Sequence, residues 1–146
     1  MSVNTGMMSS NTYEWETPQD VFDHYNSLFK FQLDVCASSS NAKCKKYYDI
    51  SDDGLDIKNK WCKRNWMNPP YGKTIKRWVS RAKNEADINR NLTVCLLPAR
   101  TDTKWWQDVV IKADHIYYIR GRLKFSDADA APFPSAVAIF GLNYKR

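Results

Sequence analysis

Apolar residues fall in short blocks along this chain, and their spacing switches between the two-residue repeat of strands and the three-to-four-residue repeat of helices. Val21, Phe22, Tyr25, Leu28 and Phe29 share one helical face. Thr17-Pro18 before them predicts a helix start, with Thr17 as N-cap and Pro18 at the first helical position. Residues 31–36 alternate briefly as a strand, residues 46–50 form a second short strand candidate, and residues 63–67 a third, stopped by Asn68-Pro69-Pro70. Ile75, Trp78, Val79 and Ala82 then recur at helical spacing over 75–86. Nearly every position of 92–97 is apolar, which predicts a strand covered on both faces and ended by Pro98. A helix over 104–112, a strand over 116–120, a turn at Gly121, a strand through Phe125 and a last strand over 135–140 complete the pattern.

Strands separated by helices predict a compact α/β fold, an open and mostly parallel sheet with an antiparallel pair closing one edge. At 146 residues the chain suits one domain over 13–146, with the small, polar, aperiodic residues 1–12 as a mobile tail. The interval 36–46 is too short for a crossover helix, so one turn or an extended crossing must join the first two strands.

Composition narrows the function classes. No stretch approaches the roughly 20 uninterrupted apolar residues of a spanning helix, and the first residues lack the charged and apolar regions of a signal peptide. A soluble, cytoplasmic protein is expected, in the host cell if the source is viral, as a monomer or weak dimer. The net charge of +6 suits a polyanionic partner and ordinary solubility equally. Cys36, Cys44, Cys62 and Cys95 show no CxxC pairing, and His24 and His115 are the only histidines. Neither a metal site nor a disulfide framework is expected, and the cysteines read as reduced thiols, mostly buried.

The chemistry concentrates at Asn68-Pro69-Pro70-Tyr71. Two prolines directly after a strand have no N–H for the ladder and both fix φ near −65°, so the chain leaves the sheet there as a stiff turn. Asn68 thereby stands at the carboxyl end of a strand, where open α/β sheets bind ligands. Its side-chain carbonyl, with a backbone carbonyl such as that of Pro69, can accept both hydrogens of an exocyclic NH2. Such bonding exposes the nitrogen lone pair to an electrophilic methyl without a strong general base. Tyr71 offers a flat π-face to a flipped-out base.

The ordered set Trp15-x-Thr17-Pro18, Leu33-Asp34-Val35-Cys36-Ala37, Asn41-Ala42-Lys43, Asp53-Gly54-Leu55, Asn68-Pro69-Pro70-Tyr71-Gly72, Leu97-Pro98-Ala99, Gly121-Arg122-x-x-Phe125 and Pro134-Ser135-Ala136 resembles the phage-encoded DNA N6-adenine methyltransferase family. The resemblance runs from about Trp15 to Phe140. It implies a Rossmann-like fold, S-adenosylmethionine as methyl donor, no metal, and DNA as partner. It also implies protection of a viral genome from restriction.

By that resemblance Trp15, Thr17 and Pro18 match the helix-opening motif at the cofactor's methionine part. Asp34 ends the first strand beside the methionine amino group, and a carboxylate suits that ammonium. Cys36 and Ala37 follow in the loop at the cofactor. Asp53 or Asp56 would sit near the adenine, and Asp49 could hold the ribose hydroxyls. Phe125 matches a second aromatic position against the target base. The family's glycine-rich loop is replaced by Cys36-Ala37-Ser38-Ser39-Ser40-Asn41, whose small residues still allow close approach.

Lys73, Lys76, Arg77 and Arg81 follow the turn, while Arg100, Lys104, Arg120, Arg122 and Lys124 lie near later strand ends. Some of these suit phosphates and any one suits a merely solvated face. Lys73, Arg100, Arg120 and Arg122 are the candidates for DNA. Of Trp105 and Trp106, one is expected in the core. Release-factor glutamine methyltransferases and ribosomal RNA guanine methyltransferases share Asn-Pro-Pro-Tyr, so a protein or RNA amine remains an alternative substrate. A non-catalytic nucleic-acid-binding module that has lost its cofactor is another.

Overall fold

The computed structural model describes residues 15–125 and 130–143. The tail expected over 1–12 lies outside them. Helix α1 (Gln19–Phe29) leads to the short strand β1 (Leu33–Asp34), followed by β2 (Arg64–Met67), α2 (Ile75–Asn89) and β3 (Leu92–Pro98). Then come α3 (Lys104–Asp108), a 3-10 turn at Val110–Lys112, β4 (His115–Tyr118) and β5 (Ser135–Phe140). The five strands form one sheet in the order β1-β2-β3-β5-β4. β1, β2 and β3 run parallel, and β5 runs antiparallel to both β3 and β4. The closing antiparallel pair is therefore present, with β4 at the edge and the last strand tucked inside it.

All seven residues of β3 and all six of β5 are buried, as strands covered on both faces require. On β2, Trp66 is fully buried and receives Phe22 of α1 edge-on at 5.5 Å. Asn65 beside it satisfies its amide on Cys62 and on the Leu92 carbonyl, which pins the start of β2 to the start of β3. Val79 and Ala82 of α2 are fully buried, while Leu28, expected on the buried face of α1, is 63% exposed.

Several boundaries differ from the sequence expectations. Pro18, not Thr17, occupies the N-cap position of α1, and no side chain caps the helix. The second strand candidate shrinks to one parallel bridge between Tyr47 and Asp34, since the crossing at 38–42 is a tight turn with Asn41 and Ala42 bonded back to the Ser38 carbonyl. The helix expected over 104–112 breaks at Val109, whose φ of −123° departs from the helical value. The strand through Phe125 is a single bridge, Lys124 to Ala130. Trp106 is the buried tryptophan of its pair, 2% exposed. None of the four cysteines is in a disulfide; only Cys95 is buried, and Cys36, Cys44 and Cys62, expected mostly buried, are half-buried. Burial, with the Asp34 charge and Cys62 adding to it, pushes the Cys44 thiol up to about 12. No helix among the described residues is long and apolar enough to cross a membrane.

Candidate active site

Asp34 of β1 stands opposite Trp66 of β2 in a parallel register, so the carboxyl ends of the two strands bring Asp34 and Asn68 to one rim of the sheet. A cavity of about 640 Å³ opens there, well inside the range of small-molecule sites. Trp15 and Thr17, Asp34, Cys36 and Ala37, Asp49 and Asp53, and Asn68, Pro69 and Pro70 all line it. Of the residues expected to hold a cofactor, Pro18 does not line it, and neither does Asp56.

Asn68 is the most informative residue of the rim. Its amide nitrogen donates to the Trp15 carbonyl and to Thr17 Oγ1, the latter at 3.1 Å. Its Oδ1 is buried with no hydrogen-bond partner among the described residues. A buried acceptor left unmade costs about 1–3 kcal/mol; Thr93 Oγ1 and Ser135 Oγ share this state, but of the three residues only Asn68 lines the cavity. The nitrogen's partners fix which end is which, because a backbone carbonyl can only accept.

Asp34 is 3% exposed. Burial pushes its carboxyl up to about 6, while hydrogen bonds from the backbone N–H groups of Lys43 and Cys36 pull it partly back. Those bonds, at 3.1 and 3.3 Å, fold the loop after β1 around the carboxylate. The loop needs no glycine. The described non-glycine residues with positive φ are Lys30, Asp53 and Arg90, so residues 36–41 all keep ordinary backbone conformations. Small side chains bring this backbone close to the cavity without the usual glycines.

The opposite wall is the acidic turn. Asp49 Oδ1 accepts from Ser51 Oγ at 2.7 Å and from the Asp52 N–H, and these bonds, the one from Ser51 first, hold its carboxyl below the usual range. Asp53 adopts a φ of 61°, and its carboxylate accepts from the Leu55 N–H at 3.0 Å. Gly54 follows under close contact: a Cβ there would lie 2.2 Å from the Val35 carbonyl oxygen and 3.0 Å from the Trp78 ring. Because the first clash is with backbone, Gly54→Ala is expected to cost about 2 kcal/mol by forcing the wall outward. Thermal unfolding checks this, and an unchanged midpoint would contradict the packing.

Tyr71 lies elsewhere than its neighbours. It is 7% exposed, its hydroxyl donates to the Leu96 carbonyl at 3.2 Å, and Phe133 and Phe125 meet its ring nearly at right angles, at 5.5 and 6.4 Å. Burial raises its phenol well above the usual value. Tyr71 and Gly72 line a second, smaller cavity of about 250 Å³ with Ile75, Pro98, Arg100 and Trp105. The Asn68-to-Gly72 turn thus runs from one cavity to the other. The ring faces expected to be open for stacking are held within an aromatic cluster of Trp15, Tyr71, Phe125 and Phe133. Phe133 is the member that sequence reasoning missed; its signal was an aromatic residue between Pro132 and Pro134.

Among the basic residues, Lys73, Arg100, Arg120 and Arg122 are exposed. Arg100 lies over the Phe133 ring at 5.6 Å, and Arg122 donates to the Ala131 carbonyl at 3.5 Å. Lys76 pairs with Asp108 at 3.5 Å. Arg81 is committed inward: it pairs with Glu85 at 2.8 Å, lies over the Trp61 ring, and donates to carbonyls of the acidic turn from Gly54 to Asn59. Its guanidinium holds the cavity wall and is not free for phosphate. No group of three or more metal-ligating side chains occurs among the described residues.

Fold and site together describe an α/β protein with a ligand-sized cavity at the carboxyl ends of parallel strands, the position at which such sheets bind small molecules. Comparison with known proteins makes the class specific. The family model for DNA N-6-adenine-methyltransferase (Dam) matches residues 4–136. A protein of Haemophilus phage HP1 (strain HP1c1) named DNA N-6-adenine-methyltransferase is 34% identical over 122 residues, covering 77% of this chain and 68% of the relative. One of the same name from Escherichia phage T1 is 31% identical over 112 residues, 75% of this chain and 45% of the relative; this chain spans less than half the length of that relative. The chain belongs to the DNA N-6-adenine-methyltransferase (Dam) family, as the ordered motifs implied.

Proposed function

We propose that this chain transfers the methyl group of S-adenosylmethionine to N6 of adenine in DNA. Family membership supports the reaction, and the observation that carries the site is the Asn68 amide, tied down through its nitrogen with a buried Oδ1 left to accept. We read the sheet as a compact Rossmann-like methyltransferase sheet, on the strength of its parallel β1, β2 and β3 with β5 reversed before the edge strand.

The larger cavity suits the cofactor: its volume is adequate, a buried carboxylate faces it, and the loop of small residues and the close approach at Gly54 shape its walls. S-adenosylmethionine, when bound, supplies an electrophilic methyl and carries an ammonium and a ribose. Asp34 would hold the ammonium, with Trp15 and Thr17 beside it, Asp49 the ribose hydroxyls, and Asp53 the adenine edge. Cys36 and Ala37 would contribute backbone. Pro18 would act only through the path of the chain.

Asn68 Oδ1 and the Pro69 carbonyl would accept the two hydrogens of the adenine N6 amine, leaving its lone pair free for attack. The base would approach through the smaller cavity, beside Tyr71 and its neighbour Phe125, with Arg100 in the cavity wall and the exposed Lys73, Arg120 and Arg122 available to phosphates. For the ring to be stacked on Tyr71, the edge-on contacts of Phe125 and Phe133 must yield.

Asp34 gives the cofactor a pH signature. A carboxyl raised to about 6 is protonated below that pH and cannot pair with an ammonium. Cofactor affinity is expected to be full above pH 6 and to weaken below it by up to about tenfold per pH unit; titration calorimetry reads this. Asp34→Asn should bind weakly at every pH. A wild-type affinity flat from pH 5 to 8 would remove Asp34 from the site.

The proposal as a whole is tested by offering labelled S-adenosylmethionine with unmethylated DNA, ribosomal RNA and release factor in parallel. Label is expected on DNA. Label on RNA or protein and none on DNA would overturn the substrate; cofactor binding undetectable at millimolar concentration, with DNA still bound, would leave a binding module.

A further inference from the structure

Thr17 lines the cavity, and contact with a bound cofactor is its simplest role. Its hydrogen bonds point elsewhere. Thr17 Oγ1 accepts from two donors, the Trp66 indole N–H at 3.2 Å and the Asn68 amide nitrogen at 3.1 Å. It does not cap α1, which begins after Pro18 without a side-chain cap.

We propose that Thr17 is a positioning residue for Asn68, holding the amide so that its oxygen and not its nitrogen is presented to the amine of the substrate. The proposal rests on the reading of Asn68 as the acceptor of that amine.

A primary amide has two ends of nearly equal size and opposite hydrogen-bonding character, and turning it over puts NH2 where the carbonyl was. An exocyclic amine would then meet donor with donor. Of the nitrogen's two partners, the Trp15 carbonyl has lone pairs only and fixes which end of the amide faces it. Thr17 Oγ1 accepts from the same nitrogen, while the Trp66 indole N–H, which can only donate, takes its other lone pair and holds the hydroxyl in place. Turning the amide over would set Oδ1 against the Trp15 carbonyl and would require Thr17 to swing its own O–H round onto Oδ1.

The support behind these partners is rigid. Trp66 is fully buried in β2, two positions before Asn68, with Phe22 and Tyr25 packed on it. The Trp15 ring lies 5.4 Å from Phe125 and 5.3 Å from Phe133, so the carbonyl of that residue is anchored as well. The chain of contact runs from core to hydroxyl to amide.

Thr17→Val removes the hydroxyl with little change of shape. Single-turnover methyl transfer to DNA at saturating S-adenosylmethionine is expected to fall about ten- to a hundredfold, the scale of a misplaced reactive group. Cofactor affinity measured by calorimetry should fall far less than the rate, and Thr17→Ser should recover most of the rate. If Thr17→Val does not fold, Thr17→Ala, which also lacks the hydroxyl, takes its place. An unchanged rate, a loss confined to cofactor affinity, or no recovery with serine would each overturn the assignment. Asn68→Ala measured alongside separates the two levels: full turnover in that variant removes the reading of Asn68, whereas an inactive Asn68→Ala beside a fast Thr17→Val removes only the role of Thr17.

Discussion

Asn68→Ala is expected to lower the rate of methyl transfer by about a hundred- to a thousandfold, the scale at which removal of one preorganised polar contact is felt in a reacting site. The protein should stay folded. Truncation deletes two hydrogen bonds from the amide nitrogen, worth about 1 kcal/mol each, and also deletes the unpaired oxygen, whose burial opposed folding. The loss and the relief partly offset, so the unfolding midpoint should move by only a few degrees. Cofactor affinity should be close to that of wild type, since the oxygen serves the amine. Asn68→Asp sharpens the test, because it places a second oxygen against the Trp15 carbonyl and should be as inactive as alanine and less stable. Wild-type turnover in either variant would falsify the role given to this residue.

Arg81→Ala should have the largest effect on stability, about 3–5 kcal/mol, because it strips a buried carboxylate of its cation. Glu85 would keep Asn89 and Asn91 as donors but no neutralising charge. The same change releases the carbonyls of Gly54, Leu55, Asp56 and Asn59 together. The turn carrying Asp53 then loses its tether to α2, and cofactor affinity should weaken in step with stability. Chemical denaturation with calorimetry on the same samples reads both, and a midpoint equal to that of wild type would show that the clamp is dispensable. Arg81→Lys should not rescue, since one ammonium cannot reach what a planar fork reaches.

The residues that announced themselves in the sequence were those whose local chemistry is conspicuous. Asn68 was marked by the two prolines behind it, and β3 by its unbroken apolar run; both stand where that reasoning put them. Alternation carried the first strand on to Cys36, and it was the family resemblance that put Asp34 at its end, where the strand stops; the small-residue loop after it followed from residue size. What escaped was set by contacts distant in sequence. Thr17 before a proline looks like a cap, and nothing local reveals that Trp66, 49 positions away, claims its oxygen. Arg81 looks like one of a run of basic residues on a solvated helix, and only the folded turn around residues 54–59 shows it turned inward. Strand 46–50 failed for a related reason, because a crossing that short leaves room for one bridge beside β1 and no more. Tyr71 was read from its chemistry as an open ring, while Phe125 beside the Lys124–Ala130 bridge and Phe133 between two prolines bring two further rings against it.

The most direct measurement is nucleoside analysis of unmethylated DNA after incubation with the protein and S-adenosylmethionine. N6-methyladenine, absent when Asn68→Ala replaces the wild-type protein, is the predicted result. N4-methylcytosine as the product, or N6-methyladenine formed equally by the alanine variant, would contradict the account, the first at the substrate and the second at the site.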